Sequence, residues 1–187
     1  MIDVSAMAAR PVRSARHPQA KPRRSESELN ARRIHEEAWA TAVGSAPCNQ
    51  RPFIFDFRII NGSRLFLHVR PCGEQAPFSA DQTIRIVVRL AAVRRRGNEE
   101  LSIPAEDLGR WMADLFGRHG FRLDAIVDLS LERIPFGRAG NPRRYIPTVI
   151  ARAQVTVADF ASASKAWGHG IGRDRAWGCG TLLLDTL

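Results

Sequence analysis

The stretch TIRIVVRLAAV, residues 83–93, decides the fold. From Ile84 to Ala92 its apolar residues alternate along the chain, and Arg85 and Arg89 lie on the opposite face. Alternation with a period of two predicts a β-strand that buries one face. The elements that follow are assigned relative to this strand.

The residues after this strand predict a helix, two strands, a second helix and a last strand. Ser102 and Pro104 are typical of a helix start, and an apolar stripe with helical spacing follows them. The stripe consists of Leu108, Trp111, Met112, Leu115 and Phe116. Strands are then predicted over 121–133 and 145–157, a helix over 158–167 ended by Gly168, and a strand over 177–187. The order βαββαβ is that of a ferredoxin-like, or RRM-like, unit.

The first part of the chain predicts a shortened version of the same unit. Residues 53–60 and 63–70 alternate as strands, and Asn61-Gly62 between them predicts a hairpin. A capping box from Ser25 to Glu28 predicts a helix over about 26–43, and residues 2–8 are a candidate first strand. Ten residues, 73–82, are too few for a second helix and a fourth strand. We therefore expect an α+β fold of two ferredoxin-like halves, residues 1–80 abbreviated and residues 81–187 complete.

The charge of the chain points to a polyanionic partner. Its 187 residues carry a formal net charge of +9, and its pI is about 11.0. Lys21 and Lys165 are the only lysines, so the positive charge is almost all arginine, which holds phosphate bidentately. A GC-rich genome accounts for arginine in place of lysine but not for the surplus of positive charge. Residues 10–24 are predicted to form a basic loop or tail.

The sequence contains no signature of a metal, cofactor or membrane site. Cys48, Cys72 and Cys179 are widely spaced without a CxxC pair, which favours a reducing compartment over a zinc knuckle or a disulfide framework. No HxH or HExxH pattern occurs, so neither a metal nor a cofactor is predicted. No apolar run approaches the ~18 residues of a membrane span, and no secretory leader is recognised. A cytoplasmic protein without membrane contact is expected.

The run GHGIGRDRAWGCGTLLL, residues 168–184, needs a geometric explanation because glycine in an ordered segment costs roughly 0.5–1 kcal/mol relative to alanine. Its glycines are Gly168, Gly170, Gly172, Gly178 and Gly180. A nucleotide-binding loop places glycines between a strand and the following helix, whereas here they follow a helix. Two interpretations stay open from the residues alone. The glycines allow a tight connection with close backbone packing, or they also hold Arg173 and Arg175 where they bind phosphate.

Two segments resemble a known family. GIGRDRAWGCGTLLL, preceded by a strand and a helix, is similar to the C-terminal signature of the CasE-type CRISPR repeat endoribonucleases, RAMP-superfamily subunits of type I-E Cascade. The family pattern G-I-G-x-x-[KR]-x-x-G-x-G-L-L is matched at Gly170, Ile171, Gly172, Arg175, Gly178 and Gly180, with the leucines one place late. RIHEEAW, residues 33–39, is similar to the family's helix segment that carries a histidine four residues before a tryptophan.

The resemblance implies a ribonuclease that works without metal. Family members cut repeat RNA at the base of its stem-loop by attack of the adjacent 2′-hydroxyl, which leaves a 2′,3′-cyclic phosphate. His35 matches the catalytic histidine, as general base or acid, and Arg175 matches the basic loop residue near the scissile phosphate. Arg32 departs from the family, because many members have a tyrosine at this position. Arginine stays charged at neutral pH, so it stabilises phosphate charge but transfers no proton.

The resemblance also implies how RNA is held. The family grips the RNA stem with a basic hairpin, here residues 133–145, and a solvated charged loop is the alternative. The predicted RNA contacts are Arg133, Arg138, Arg143 and Arg144 on the hairpin, with Arg173 and His169 on the glycine-rich loop 168–180. The implied partners are CRISPR repeat RNA and the other subunits of a Cascade-type complex. Two competing hypotheses are a non-catalytic stem-binding or assembly module of the same fold, and a general ferredoxin-like RNA-binding protein.

Overall fold

A computed structural model describes residues 30–43, 52–61, 64–97, 99–136 and 144–185. The helices are α1 (Ala31–Ala42), α2 (Leu108–Arg118) and α3 (Phe160–His169), with short 3-10 turns at Ala105–Asp107 and Arg175–Trp177. The strands are β1 (Phe53–Ile60), β2 (Arg64–Pro71), β3 (Thr83–Ala91), β4 (Val93–Arg96), β5 (Glu99–Ser102), β6 (Phe121–Phe136), β7 (Arg144–Val157) and β8 (Leu182–Leu184).

A four-stranded antiparallel sheet organises the second half of the chain. Its strand order is β6-β7-β3-β8, and α2 and α3 follow β3 and β7 along the chain. This order is produced by a βαββαβ ferredoxin-like unit. The side chains of β3 that alternate from Ile84 to Leu90 pack with the apolar stripe of α2 in one core. The predicted α+β class with a complete second half is confirmed.

The first half consists of α1 and the hairpin of β1 and β2. The two strands pair antiparallel from Phe53 opposite Pro71 to Ile60 opposite Arg64. Asn61 has a φ of 53°, as the first position of a tight hairpin turn requires. Residues 72–82 contain no helix or strand, so the predicted abbreviation of this half is confirmed. The division at residue 80 stays a prediction.

The first helix begins later than predicted. α1 starts at Ala31, and the side chain of Asn30 accepts a hydrogen bond of 3.0 Å from the Arg33 amide. An asparagine at this position satisfies an amide that has no partner within the helix. The predicted start near residue 26 is therefore wrong, while the capping box at 25–28, the candidate strand at 2–8 and the basic segment 10–24 lie outside the described residues.

One predicted feature before α2 is wrong and one feature was missed. Ser102 does not cap a helix, because it is the last residue of β5, and Pro104 precedes the 3-10 turn that leads into α2. The hairpin of β4 and β5 was not predicted. Its cross-strand partners are Arg95 with Glu100 and Arg96 with Glu99, so opposite charges face each other where apolar alternation is missing.

The C-terminal segment also differs from the prediction. α3 is capped by Asp159, whose carboxylate accepts hydrogen bonds from two backbone amides, and it continues through Gly168 to His169. Gly170, with a φ of 73°, ends the helix. The predicted strand over 177–187 is shorter, because residues 175–177 form a 3-10 turn and β8 covers three residues.

A buried ion cluster joins the two halves. Arg89 of β3 is 4% exposed, and its guanidinium contacts Asp56 of β1 at 3.4 Å and Glu132 of β6. It also donates to the carbonyl oxygen of Phe57 at 2.8 Å and stacks on the Phe57 ring at 4.2 Å. Arg89 lies on the predicted face of β3, but β1 covers that face. The carboxylates and the ring therefore hold β1 against the larger sheet.

Candidate functional site

His35 is held in one orientation by the glycine-rich segment. Its Nδ1 lies 2.7 Å from the carbonyl oxygen of Ala176, in the 3-10 turn that follows Gly172. A carbonyl oxygen only accepts hydrogen bonds, so Nδ1 carries a proton and donates it. The second nitrogen, Nε2, is therefore the atom of His35 that gains or loses a proton.

Aromatic rings fix the plane of the imidazole. Trp177 lies with its ring centroid 5.2 Å from that of His35, and Trp39, one turn further along α1, lies at 6.1 Å. Trp39 in turn packs edge-on against Phe53 of β1 at 5.1 Å. The chain of contacts anchors His35 to the core of the first half.

Close backbone packing explains the glycines around this turn. Gly180 has a φ of 81°, and a Cβ there would lie 1.9 Å from the carbonyl oxygen of Ile171. Gly178 has a φ of 80°, and its Cβ would collide with the rings of Phe55 and Phe57. The predicted tight connection is what the structure contains, with the turn pressed against β1.

Hydrogen bonds tie the same segment to both halves. The Gly180 amide donates to the carbonyl oxygen of Arg89 at 2.6 Å, and the Thr181 hydroxyl donates to the carbonyl oxygen of Phe55 at 2.7 Å. Thr181 is 1% exposed. The turn that orients His35 is thus attached to β3 on one side and to β1 on the other.

A cleft of about 520 Å³ opens beside this turn. It is lined by Cys72, His169, Asp174, Arg175, Ala176 and Trp177. Arg175 is exposed, and its Nη1 donates to the carbonyl oxygen of His169 at 3.1 Å. The structure therefore brings two predicted residues, Arg175 and His169, into one cleft, and His35 contacts its wall through Ala176 and Trp177.

Burial and neighbouring charges shift two pKa values near the cleft. Burial raises the pKa of Asp174, Glu100 raises it further and Arg173 opposes the rise. Burial lowers the pKa of His119 at the end of α2, and the charges of Arg118 and Arg175 lower it further. His119 does not line the cleft.

Two other predicted arginines are engaged in surface ion pairs. Arg32 contacts Glu36 at 2.9 Å one turn along α1, with both side chains more than half exposed. Arg173 contacts Glu100 of β5 at 3.0 Å. Exposed pairs of this kind contribute about 0–1 kcal/mol, so a phosphate can replace the carboxylate at little cost.

Residues 133–136 and 144–145 of the hairpin predicted over 133–145 form the far end of the β6–β7 pair. The two long strands pair from Phe121 opposite Val157 to Phe136 opposite Arg144. Arg133 is exposed near the far end of β6, and Arg144 begins β7. Arg138 and Arg143 lie outside the described residues. The structure does not bring Arg133 together with His35 through any contact in the described ranges.

A larger groove of about 1070 Å³ lies between β2 and β8. It shares Cys72 with the cleft and is lined mainly by apolar side chains. Its buried Arg70 stacks on the ring of Trp167 at 3.8 Å and donates to the Trp167 carbonyl oxygen at 2.6 Å. Burial lowers the pKa of Arg70 to about 10. These contacts lock β2 to the end of α3. We place the candidate active site in the smaller cleft because the predicted residues Arg175 and His169 line it together with Ala176 and Trp177, which contact His35.

Within the described ranges, no group of three or more His, Cys, Asp or Glu side chains could hold a metal ion. None of the helices among those residues is long and apolar enough to cross a bilayer.

Three contributors to the site were not predicted as functional. Ala176 acts through its backbone carbonyl, which no residue type reveals, and Trp177 acts through its ring. Arg89 was predicted only to lie on the face of its strand opposite the alternating apolar residues. A tryptophan within a glycine-rich turn is the one signal in the sequence that marks this segment as packed.

Comparison with protein-family models finds one match over nearly the whole chain. The family described as CRISPR associated protein matches residues 6–185. Comparison of the sequence with curated proteins gives no match.

Solved structures share the fold at low sequence identity. Thermus thermophilus Cse3 bound to an RNA that represents a pre-cleavage complex has a TM-score of 0.65 and 16% identity, over 83% of this chain and 89% of that one. Cas6e from Escherichia coli str. K-12 has a TM-score of 0.60 and 15% identity, over 84% and 93%. A chain of a CRISPR RNA-guided surveillance complex has a TM-score of 0.60 and 17% identity, over 84% and 94%. At these identities the likeness establishes the fold, and the site rests on the geometry above.

Proposed function

The chain belongs to the CRISPR associated protein family, and on this premise we propose that it is an endoribonuclease that binds the stem-loop of CRISPR repeat RNA and cuts at the base of the stem. The observation that carries the proposal is His35, held by the Ala176 carbonyl oxygen beside a cleft that contains Arg175. The similar fold of Cse3, a protein solved with bound RNA, supports it.

The reaction is an attack of RNA on itself. The 2′-oxygen next to the scissile phosphate forms a bond to phosphorus while the bond from phosphorus to the 5′-oxygen breaks. The products are a 2′,3′-cyclic phosphate and a 5′-hydroxyl. Because both oxygens belong to the substrate, the protein has to supply a base, an acid and positive charge, and no metal is required.

We assign His35 as the general base. Its Nδ1 is occupied by the Ala176 carbonyl oxygen, which leaves Nε2 to accept the proton of the 2′-hydroxyl. Histidine suits this step because its ordinary pKa of about 6.5 lies near neutrality. The rings of Trp39 and Trp177 hold the imidazole in place, and a positioned base contributes a factor of about 10²–10⁴ to the rate.

Arg175 supplies the positive charge in this proposal. Its Nη1 is anchored on the His169 carbonyl oxygen, so the guanidinium is positioned before RNA arrives. Its remaining N–H groups include donors suited to the oxygens of a phosphodiester. A preorganised cation stabilises the charge that develops on phosphorus.

The β6–β7 hairpin is proposed to hold the stem. Arg133, which is exposed on β6, and the other arginines predicted for this hairpin would meet the phosphates of A-form RNA, whose deep major groove hides the base edges. The cut RNA would stay bound for assembly with other subunits, as the similar fold of a chain in a surveillance complex supports.

Cleavage of the cognate repeat RNA in EDTA tests the proposal. Wild type should cut once, at the base of the stem, and leave a cyclic phosphate. His35→Ala should abolish the cut with no more than about a threefold change in affinity, because the ring transfers a proton rather than holding the stem. His68→Ala, a histidine change on β2 outside the cleft, is the matched control and should cut like wild type. A cut that needs added divalent metal, or that survives His35→Ala, would contradict the proposal.

A stem-binding module without catalysis is the second candidate function. Arg32 favours it, because this residue stands where similar proteins carry a tyrosine and is paired with Glu36. Tight binding of the repeat with no cut by wild type or His35→Ala would establish this function. Binding of unrelated stems as tightly as the repeat would point instead to a general RNA-binding protein.

A further inference from the structure

We infer that His169 is the general acid that protonates the leaving 5′-oxygen, an inference that rests on the ribonuclease function proposed above. Self-cleavage of RNA needs a second proton-transfer group besides His35. Arg32 stands where similar proteins carry a tyrosine, but an arginine keeps its proton at neutral pH and cannot be this second group. The cleft supplies another imidazole.

His169 and His35 both contact the segment that carries Arg175. His169 is the last residue of α3, its side chain is exposed, and it lines the cleft together with Arg175. Arg175 donates to the carbonyl oxygen of His169. Ala176, the residue after Arg175, holds His35 through its own carbonyl oxygen. A phosphate bound by the Arg175 guanidinium would therefore lie beside the segment that carries His169 and holds His35. A cleft of about 520 Å³ falls within the roughly 300–1,000 Å³ typical of small-ligand sites.

The proton balance of the step is complete. The 2′-hydroxyl gives its proton to Nε2 of His35, and the imidazolium of His169 gives a proton to the 5′-oxygen as its bond to phosphorus breaks. His35 ends protonated and His169 neutral, and exchange with water restores both. No oxidant, reductant or metal enters the step.

Other protic groups near Arg175 fit the role less well. Burial and the charges of Arg118 and Arg175 favour neutral His119, which lies outside the cleft lining. Asp174 lines the cleft, and burial and then Glu100 raise its pKa while Arg173 opposes the rise, so it is the main competitor for the role, although its charged form would repel the phosphate. Tyr145, the sole tyrosine, lies at the start of β7 and does not line the cleft.

The test compares two RNAs that differ at one atom. In the first the leaving atom is the natural 5′-oxygen, and in the second it is sulfur. A thiolate leaves without protonation, because a thiol has an ordinary pKa of about 8.5. His169→Ala should cut the oxygen RNA about 100-fold or more slowly than wild type and the sulfur RNA within about threefold of it. His35→Ala should be slow on both RNAs.

The variants separate catalysis from structure. His169→Ala keeps the backbone oxygen that anchors Arg175, so only the ring is lost. Its affinity for the uncut repeat should fall far less than its rate on the oxygen RNA, because His169 is one of several predicted RNA contacts but the only proposed acid. His119→Ala is the matched control and should cut both RNAs like wild type. Asp174→Asn tests the competing carboxyl.

The possible results are distinguishable. If His169→Ala cuts the oxygen RNA like wild type, or if its defect is equally large with sulfur, the inference is overturned while the proposed ribonuclease stands. Rescue by sulfur in Asp174→Asn alone would overturn it in favour of the carboxyl. If wild type cuts neither RNA, the proposed function and this inference are both overturned.

Discussion

The Nδ1 of His35 lies 2.7 Å from the carbonyl oxygen of Ala176. His35 belongs to the helix of the first half, and Ala176 belongs to the turn between the last helix and the last strand of the second. The orientation of the proposed base is therefore set by the half that does not carry it. Changes that move the turn should alter catalysis without touching α1.

Trp177→Leu should slow cleavage of the repeat RNA about 10–100-fold with little change in affinity. The ring centroid of Trp177 lies 5.2 Å from that of His35, and its loss frees the imidazole to leave its productive position. Single-turnover rates with saturating protein, compared with equilibrium binding, measure the two effects separately.

Trp111→Leu is the matched control for this change. Trp111 packs partly buried against the other core, on α2, so its loss should lower stability without a specific effect on the cleavage step. Equal loss of cleavage in both variants at a temperature where both are folded would contradict a positioning role for Trp177.

Gly180→Ala should destabilise the protein by about 3 kcal/mol or more. The residue has a φ of 81°, and the added Cβ would lie 1.9 Å from the carbonyl oxygen of Ile171, so the backbone of the turn has to move. Urea unfolding followed by tryptophan fluorescence measures the loss.

Substitutions at two further glycines separate the effect of the steric contact from the effect of the positive φ. Gly172 has a φ of 72°, but a Cβ added there would meet no atom closer than 3.7 Å. Gly172→Ala should therefore cost only the conformational strain of about 1–2 kcal/mol. Gly117→Ala, within α2 and in open space, should stabilise by about 0.5–1 kcal/mol. Similar losses of stability in Gly180→Ala and Gly172→Ala would show that the contact with the Ile171 carbonyl oxygen does not account for the effect at Gly180.

Arg89→Met should destabilise the protein by about 3–5 kcal/mol near neutral pH, because it leaves Asp56 buried and without its cation. Burial raises the pKa of Asp56 above its ordinary value, and Arg89 opposes the rise. A carboxyl with a raised folded-state pKa binds more protons when folded, so it loses stability as the pH rises above its unfolded pKa. Without Arg89 this loss becomes larger. The difference in free energy of unfolding between wild type and Arg89→Met should therefore widen from about pH 4 to pH 7.

The double variant Arg89→Met/Asp56→Asn checks the cause. It has no carboxyl at position 56, so its difference from wild type in free energy of unfolding should no longer widen over that pH range. Urea unfolding at several pH values supplies the free energies. A pH-independent deficit in Arg89→Met would mean that lost packing on Phe57, rather than the buried charge, accounts for it.

Affinity for the repeat stem should fall by orders of magnitude between ~50 and ~200 mM salt if six or more phosphates are neutralised. The inactive His35→Ala variant permits this measurement by fluorescence anisotropy without cleavage. Arg133→Ala should reduce the slope of log affinity against log salt by about 1. A flat salt response would count against the basic hairpin as the RNA-binding surface.

Local patterns in the sequence were sufficient for most of the fold. The Asn61-Gly62 pair with alternation on both sides identified the first hairpin, and the stripe from Leu108 to Phe116 identified α2. The β4–β5 hairpin was missed because its strands pair through Arg95 and Glu100 rather than through apolar residues. Ser102 resembled a helix cap because a strand end and an N-cap are both extended backbone.

The site was less predictable, for a physical reason. His35 and Arg175 were identified through family motifs, whereas the contact that orients His35 comes from a backbone carbonyl, which every residue possesses. The buried state of Arg89 depends on which strand covers its face, and alternation does not contain that information. The roles of the predicted site residues stay predictions until the cleavage experiments are done.

The contact between His35 and Ala176 also has a consequence for biosynthesis. The two residues are 141 positions apart, and ribosomes add ~5–20 residues per second, so Ala176 is added roughly 7–28 s after His35. During that interval the nascent chain carries its imidazole without the carbonyl, the arginine or the tryptophan that complete the cleft. If the proposed function holds, a growing chain has no assembled site with which to cut RNA near the ribosome, and the site is complete only when the last strand is nearly in place.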